Sequence, residues 1–192
     1  MTDKINLVYF DMDGVLVDFD KSLEKLSGMS LSDILKTEFD YSQFQIKSNN
    51  PVRAIMEVYM SDGLFLNAPE MEGFKELVGV MDWFSKNNIS FEILSSVTGE
   101  HFADIAIDQK KEWLSTRNID CPQNYTKGSK HKSNYANKGV LLIDDFDRNI
   151  EQFTQAGGQG IHHTEIEKTL NSLKSFFPEM TLGTNKKKTM AV

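Results

Sequence analysis

Four aspartates fall in two tight groups, Asp11 with Asp13 after one apolar run and Asp144 with Asp145 at the end of another. If those runs end side by side, four carboxylates crowd one pocket, and a hard cation is what makes their repulsion tolerable. With Asp and backbone oxygens as donors and no His–Cys cluster, an octahedral oxygen site for Mg²⁺ is favoured over zinc. Such a cation also keeps positions open for phosphate oxygens. A strand-end carboxylate can attack phosphorus itself and form an aspartyl-phosphate, and Asp11 is placed for that role. Asp13, two residues on and past a turn, is placed to protonate the leaving oxygen and then take a proton from the hydrolytic water, which calls for a raised pKa. Hydroxyls of Ser95 or Ser96, loop N–H groups and one lysine among Lys130, Lys132 and Lys138 would hold the phosphoryl oxygens as charge moves.

The elements that must position these groups show in the periodicity. INLVYF (5–10), ISFEIL (89–94) and GVLLI (139–143) are short apolar runs followed by polar residues, as buried parallel strands are. NYTK (124–127) and GQGIHH (158–163) are weaker candidates, which makes about five strands. Between and after them, 73–88, 100–118, 146–156 and 165–177 read as helices, the first two with apolar residues at spacings of three and four. Right-handed crossovers in such an α/β sheet carry the carboxyl ends of the strands to one edge, where the polar loops converge. The stretch 20–72 breaks the alternation with three short helical segments and no strand, so a helical insertion is expected, with Pro51 in a first helical turn.

A chain of 192 residues and 21.9 kDa, 40% apolar and 26% charged, suits one globular domain carrying a small insertion. No apolar run approaches the roughly 20 residues that cross a bilayer, and no basic segment precedes the apolar start, so a cytoplasmic, membrane-free protein is expected. The single cysteine, Cys121, excludes an internal disulfide and a multi-Cys zinc site. A net charge of −7 disfavours a large nucleic-acid footprint and points to a small substrate. Residues 181–192, with Lys186 to Lys188, read as a solvated tail. Several tempting residues have plainer readings. Asp18, Asp20 and Asp147 suit helix caps or turns, His101, His162 and His163 suit no metal, and Trp83 and Trp113 suit the core. Phe19, Phe44 and Tyr59 suit an aromatic insert core as well as they suit a ligand.

The run Asp11-Met12-Asp13-Gly14-Val15-Leu16-Val17-Asp18 resembles the first motif, DxDGVLxD, of haloacid dehalogenase (HAD)-type phosphatases. Leu94-Ser95-Ser96 is similar to the second motif of that family, and Leu142-Ile143-Asp144-Asp145 to its acidic fourth motif. The resemblance implies a Rossmann-like core at 1–19 and 73–180, interrupted by a C1-type cap at 20–72. Within the superfamily the cap details resemble the 5′(3′)-deoxyribonucleotidases: Phe19 matches an aromatic near the base or sugar, Phe44 stands for another, and Tyr59 lies where those enzymes carry a tryptophan. By the same resemblance Ser95 and Ser96 bind phosphate, and Lys132 is the third-motif lysine with Lys130 the runner-up. The metal ligands implied are Asp11, the backbone oxygen of Asp13 and one of Asp144 and Asp145.

The activity implied is Mg²⁺-dependent hydrolysis of (deoxy)ribonucleoside monophosphates through an aspartyl-phosphate, in a protein that is often a homodimer. A phosphatase acting on another small phosphate ester or on a polynucleotide 3′-phosphate would share this core. A phosphate-accepting signalling receiver also gathers Asp, Ser or Thr and Lys around Mg²⁺. It needs its acidic pair early and its acceptor mid-chain, the reverse of the order here.

Overall fold

The computed structural model describes residues 4–36, 51–97 and 102–181. Phe44, Thr98, His101 and Lys186 to Lys188 lie outside them. Five parallel strands form one sheet in the order β3-β2-β1-β4-β5: β1 (Leu7–Phe10), β2 (Ser90–Val97), β3 (Gln123–Lys127), β4 (Val140–Asp144) and β5 (Gln159–His162). β1 takes the centre, with Leu7 in register with Ser90 on one side and Val140 on the other.

Alternation along the strands sorts the core into two layers. Val8, Phe10, Ile93, Leu141 and Ile143 meet apolar faces of α4 (Phe74–Lys86), α5 (Ala103–Ser115) and α7 (Ile166–Phe176). Tyr9, Leu94, Val140 and Leu142 point the other way, onto Phe153 of α6 (Asp147–Gln155). β2 is longer than its apolar run, and Ser95 and Ser96 lie within it, not in the loop that was expected to hold them. The reason is its outer neighbour: β3 pairs Tyr125 with Ser95, Thr126 with Ser96 and Lys127 with Val97, carrying the ladder past the end of β1.

The insertion after β1 is helical. Its described helices are α1 (Phe19–Ser27), α2 (Leu31–Ile34) and α3 (Pro51–Tyr59), followed by a 3-10 turn at Met60–Asp62. Asp18 caps α1, accepting the Lys21 N–H at 3.0 Å, and Gly28 ends it in a left-handed conformation, φ 71°. Leu23, Ile34, Ile55, Met60, Leu64 and Phe65 make a separate apolar cluster that also takes Val97 and Ala106 from the core. The two ends of the insertion are tied together. The Asp18 N–H donates to the Pro69 carbonyl at 2.9 Å, the Met71 N–H donates to Leu16 at 2.9 Å, and Val17 bridges Glu70. Among the described residues no helix is long and apolar enough to cross a membrane.

Candidate active site

β1 ends at Phe10, and the chain turns at once. The Met12 carbonyl accepts the N–H groups of Leu16 and Val17 at 2.9 and 2.8 Å, and the Gly14 N–H donates to Val17 at 2.8 Å. The Asp11 N–H still bonds the Ile143 carbonyl at 2.9 Å, so Asp11 leaves the sheet beside the last residue of β4, Asp144. Met12 drops into the core while Asp11 and Asp13 stay at the edge. Gly14 holds φ 76°, and a Cβ there would strike the Asp145 carboxylate, so glycine is what lets the two loops meet.

Lys132 joins the two strand ends. It sits in a 3-10 turn, Ser129–Tyr135, with 1% of its surface exposed, and its Nζ lies 2.6 Å from Asp11 Oδ2 and 2.6 Å from Asp144 Oδ2. Burial opposes the ammonium, but the two carboxylates outweigh it and hold its pKa above the ordinary lysine value. Burial likewise lifts the Asp11 carboxyl above the usual range, against the pull of Lys132 and with the repulsion of Asp144. Asp145 is pushed up to about 7 by burial and then by its neighbours Asp11 and Asp144.

One oxygen each of Asp11, Asp144 and Asp145 lie within 4.8 Å of one another. This all-oxygen set has the hardness Mg²⁺ requires, and the triad can hold that ion. Asp144 is already engaged by donors: its Oδ1 accepts the Phe146 N–H at 2.9 Å and the Asn149 amide at 2.8 Å. The Asp145 side chain faces the adjoining cavity of about 570 Å³, which makes it the freer ligand of the acidic pair.

Of the candidate site residues read from sequence, Asp11, Asp13, Phe19, Ser96, Lys132 and Asp145 line that cavity, and so do Asp18, Asp20 and His163, which had plainer readings. Ser95 and Asp144 are fully buried beneath it. Tyr59 packs into the insert cluster and is absent from the cavity wall. Lys130 and Lys138 are exposed. His162 and His163 point apart, His162 Nε2 to the Asp145 carbonyl at 2.9 Å and His163 Nδ1 to the Thr169 hydroxyl at 2.8 Å. Burial pushes the Cys121 thiol up to about 11, which leaves it without nucleophilic character near neutral pH.

No family model and no curated protein matches the sequence. Solved structures do match the fold over nearly its whole length. A candidate phosphatase from Clostridium difficile is 14% identical, with a TM-score of 0.52 over 89% of this chain and 92% of its own. A HAD-superfamily hydrolase of subfamily IA, variant 1, from Geobacter sulfurreducens is 15% identical, with a TM-score of 0.51 over 90% of this chain and 99% of its own. The fold is HAD-like.

Lys110 and Phe146, both at this site, escape the sequence reading. Lys110, on α5, has no exposed surface, and its Nζ lies 2.5 Å from Asp13 Oδ2 and 2.8 Å from Ser95 Oγ. It occupies the buried stripe of its helix with Ala106, Trp113 and Leu114, and a lysine at a core position of an amphipathic helix was the signal to notice. Phe146 follows the acidic pair, lines the cavity and keeps 54% of its surface exposed. An aromatic in a loop carries no periodicity, so nothing in the pattern marked it.

Proposed function

We propose that the protein is a Mg²⁺-dependent phosphomonoesterase acting on nucleoside monophosphates, deoxyribonucleotides included, by way of an aspartyl-phosphate on Asp11. The observation that carries this reading is the junction of β1 and β4, where the Asp11 carboxylate meets the Lys132 ammonium at the wall of a cavity that Asp145 also lines. Asp11, Asp144 and Asp145 would hold the cation, with the Asp13 backbone oxygen as a further ligand, and the ion would neutralise charge on the phosphoryl oxygens.

A carboxylate oxygen of Asp11 forms the new bond to phosphorus as the ester oxygen departs with a proton from Asp13. Water then attacks the acyl-phosphate, Asp13 takes back a proton, and inorganic phosphate leaves with Asp11 restored. Burial raises the Asp13 carboxyl against the pull of Lys110, which favours its carrying a proton. Lys132 neutralises Asp11 in the resting site, and Ser96 offers a hydroxyl at the cavity wall.

The leaving group is read from the remaining wall. Phe19 stacks on Phe65 with centroids 5.8 Å apart and planes at 29°, and together with exposed Phe146 it gives the cavity aromatic surface on which a flat base can rest. The test is phosphate release from ribo- and deoxyribonucleoside monophosphates, 5′ and 3′, with Mg²⁺ or EDTA. Turnover of nucleotides lost in EDTA, and reduced by about 10³-fold or more in Asp11→Asn, supports the whole reading. Cleavage of an aryl phosphate alone, with the same Mg²⁺ and Asp11 dependence, keeps the chemistry and rejects the nucleotide.

A further inference from the structure

We propose that Lys110 is the positioning residue for Asp13, fixing the orientation of its carboxyl at the cavity wall; this rests on the phosphatase reading above. The Lys110 ammonium is enclosed. One proton goes to Asp13 Oδ2 at 2.5 Å and one to Ser95 Oγ at 2.8 Å, while the ring of Phe65 lies 4.4 Å from Nζ. An ammonium has three donors, and two hydrogen bonds with a π face exhaust them, so the group has no other orientation to adopt. Asp13 Oδ1, by contrast, is buried and has no hydrogen-bond partner. The Asp13 carboxyl is thus held at Oδ2 by Lys110 and enclosed at Oδ1, while the residue itself lines the cavity, so its orientation toward a ligand there is set by the lysine.

The surroundings fix this arrangement. Gln109, one residue before, accepts the Phe65 N–H at 3.0 Å and donates to the Met60 carbonyl at 2.6 Å, so the same turn of α5 grips the returning end of the insertion and seats Phe65 on the lysine. Ser95 thereby takes a role different from the one its motif implies. Its hydroxyl accepts from Lys110 beneath the floor, and Ser96 is the hydroxyl that lines the cavity.

A leaving-group comparison separates positioning from mere support. An alkoxide leaving from a nucleoside 5′-monophosphate needs a proton, whereas p-nitrophenolate leaves well without one. The quantity to compare is kcat/KM, which covers the steps up to departure of the leaving group, for wild type, Lys110→Met, Lys110→Arg, Ser95→Ala and Asp13→Asn. Lys110→Met is expected to lose about 100-fold on the nucleotide and less than about 10-fold on p-nitrophenyl phosphate, matching the selectivity of Asp13→Asn. Lys110→Arg should regain part of the loss, and Ser95→Ala should show the same selectivity more weakly with KM unchanged. Equal losses on both substrates in a variant with the wild-type circular dichroism spectrum would overturn the proposal, as would a Ser95→Ala variant that only raises KM. If Lys110→Met does not fold, the double variant Lys110→Met/Asp13→Asn removes both buried charges. Its selectivity must then equal that of Asp13→Asn alone. Wild-type protein inert toward both substrates rejects the phosphatase reading and this inference with it, whereas an active wild type with unselective variants rejects this inference alone.

Discussion

Gly14 is where the two halves of the catalytic edge touch. Its φ of 76° and the Asp145 carboxylate standing in the place of a side chain impose two separate penalties on any substitution. Gly14→Ala is expected to cost about 1–2 kcal/mol from the backbone alone, visible as a lower midpoint in urea. Because the Cβ would drive Asp145 away from Asp11 and Asp144, calorimetric titration of the variant with Mg²⁺ should also show weakened binding. The sequence made the four aspartates legible because each follows or ends an apolar strand, and strand ends in a parallel sheet share an edge. Spacing alone did not choose among Lys130, Lys132 and Lys138, and it was the resemblance that singled out Lys132, the lysine whose Nζ meets Asp11 and Asp144. That choice depends on which side chain of an irregular 3-10 turn faces inward, and such a turn has no hydrophobic period to read. Asp144 and Asp145, adjacent in sequence, were equally open as ligands, and the structure brings an oxygen of each within reach of Asp11.

Among the elements, α5 does the most to bind insertion and core. Trp113, fully buried, donates its indole N–H to the Ala68 carbonyl at 2.8 Å, and Arg117 lies over the same ring while pairing with Glu70 at 3.1 Å. Two consecutive turns of this helix, at Gln109 and Trp113, and Arg117 just past its end therefore contact the stretch that leads out of the insertion. Trp113→Phe keeps most of the packing but orphans a buried carbonyl. Equilibrium unfolding should report a loss of about 1–3 kcal/mol. The strands and long helices of the core were legible from period alone, to within a few residues. The exception, the extension of β2 through Ser95 and Ser96, follows from pairing with β3, and pairing is a tertiary property that no local pattern records. Tyr59, expected by resemblance near a substrate, packs instead against the insert cluster. An aromatic in an amphipathic helix is drawn to the nearest apolar cluster, and in a small insertion that cluster is its own.

The molecule as a whole carries a net charge of −7, and Asp18 and Asp20 add to the carboxylates of the cavity wall. A dianionic phosphate ester thus approaches against a repulsive field. At saturating Mg²⁺, kcat/KM for a nucleoside monophosphate should rise, by up to about threefold, as KCl increases from roughly 10 to 150 mM, because screening shortens the reach of that field. A fall over the same range would mean that the local field at the cavity is positive. The position of β1 at the centre of the sheet has a consequence of another kind. During synthesis β1 finds one neighbour only after the insertion and α4 have been made, and the other only after β4 has followed. Until then its apolar residues, of which Val8 and Phe10 are fully buried in the finished molecule, lack the neighbours that cover them. Transient collapse or chaperone shielding has to cover β1 in that interval, and the edge that carries Asp11 and Asp144 is assembled only once β4 has been made.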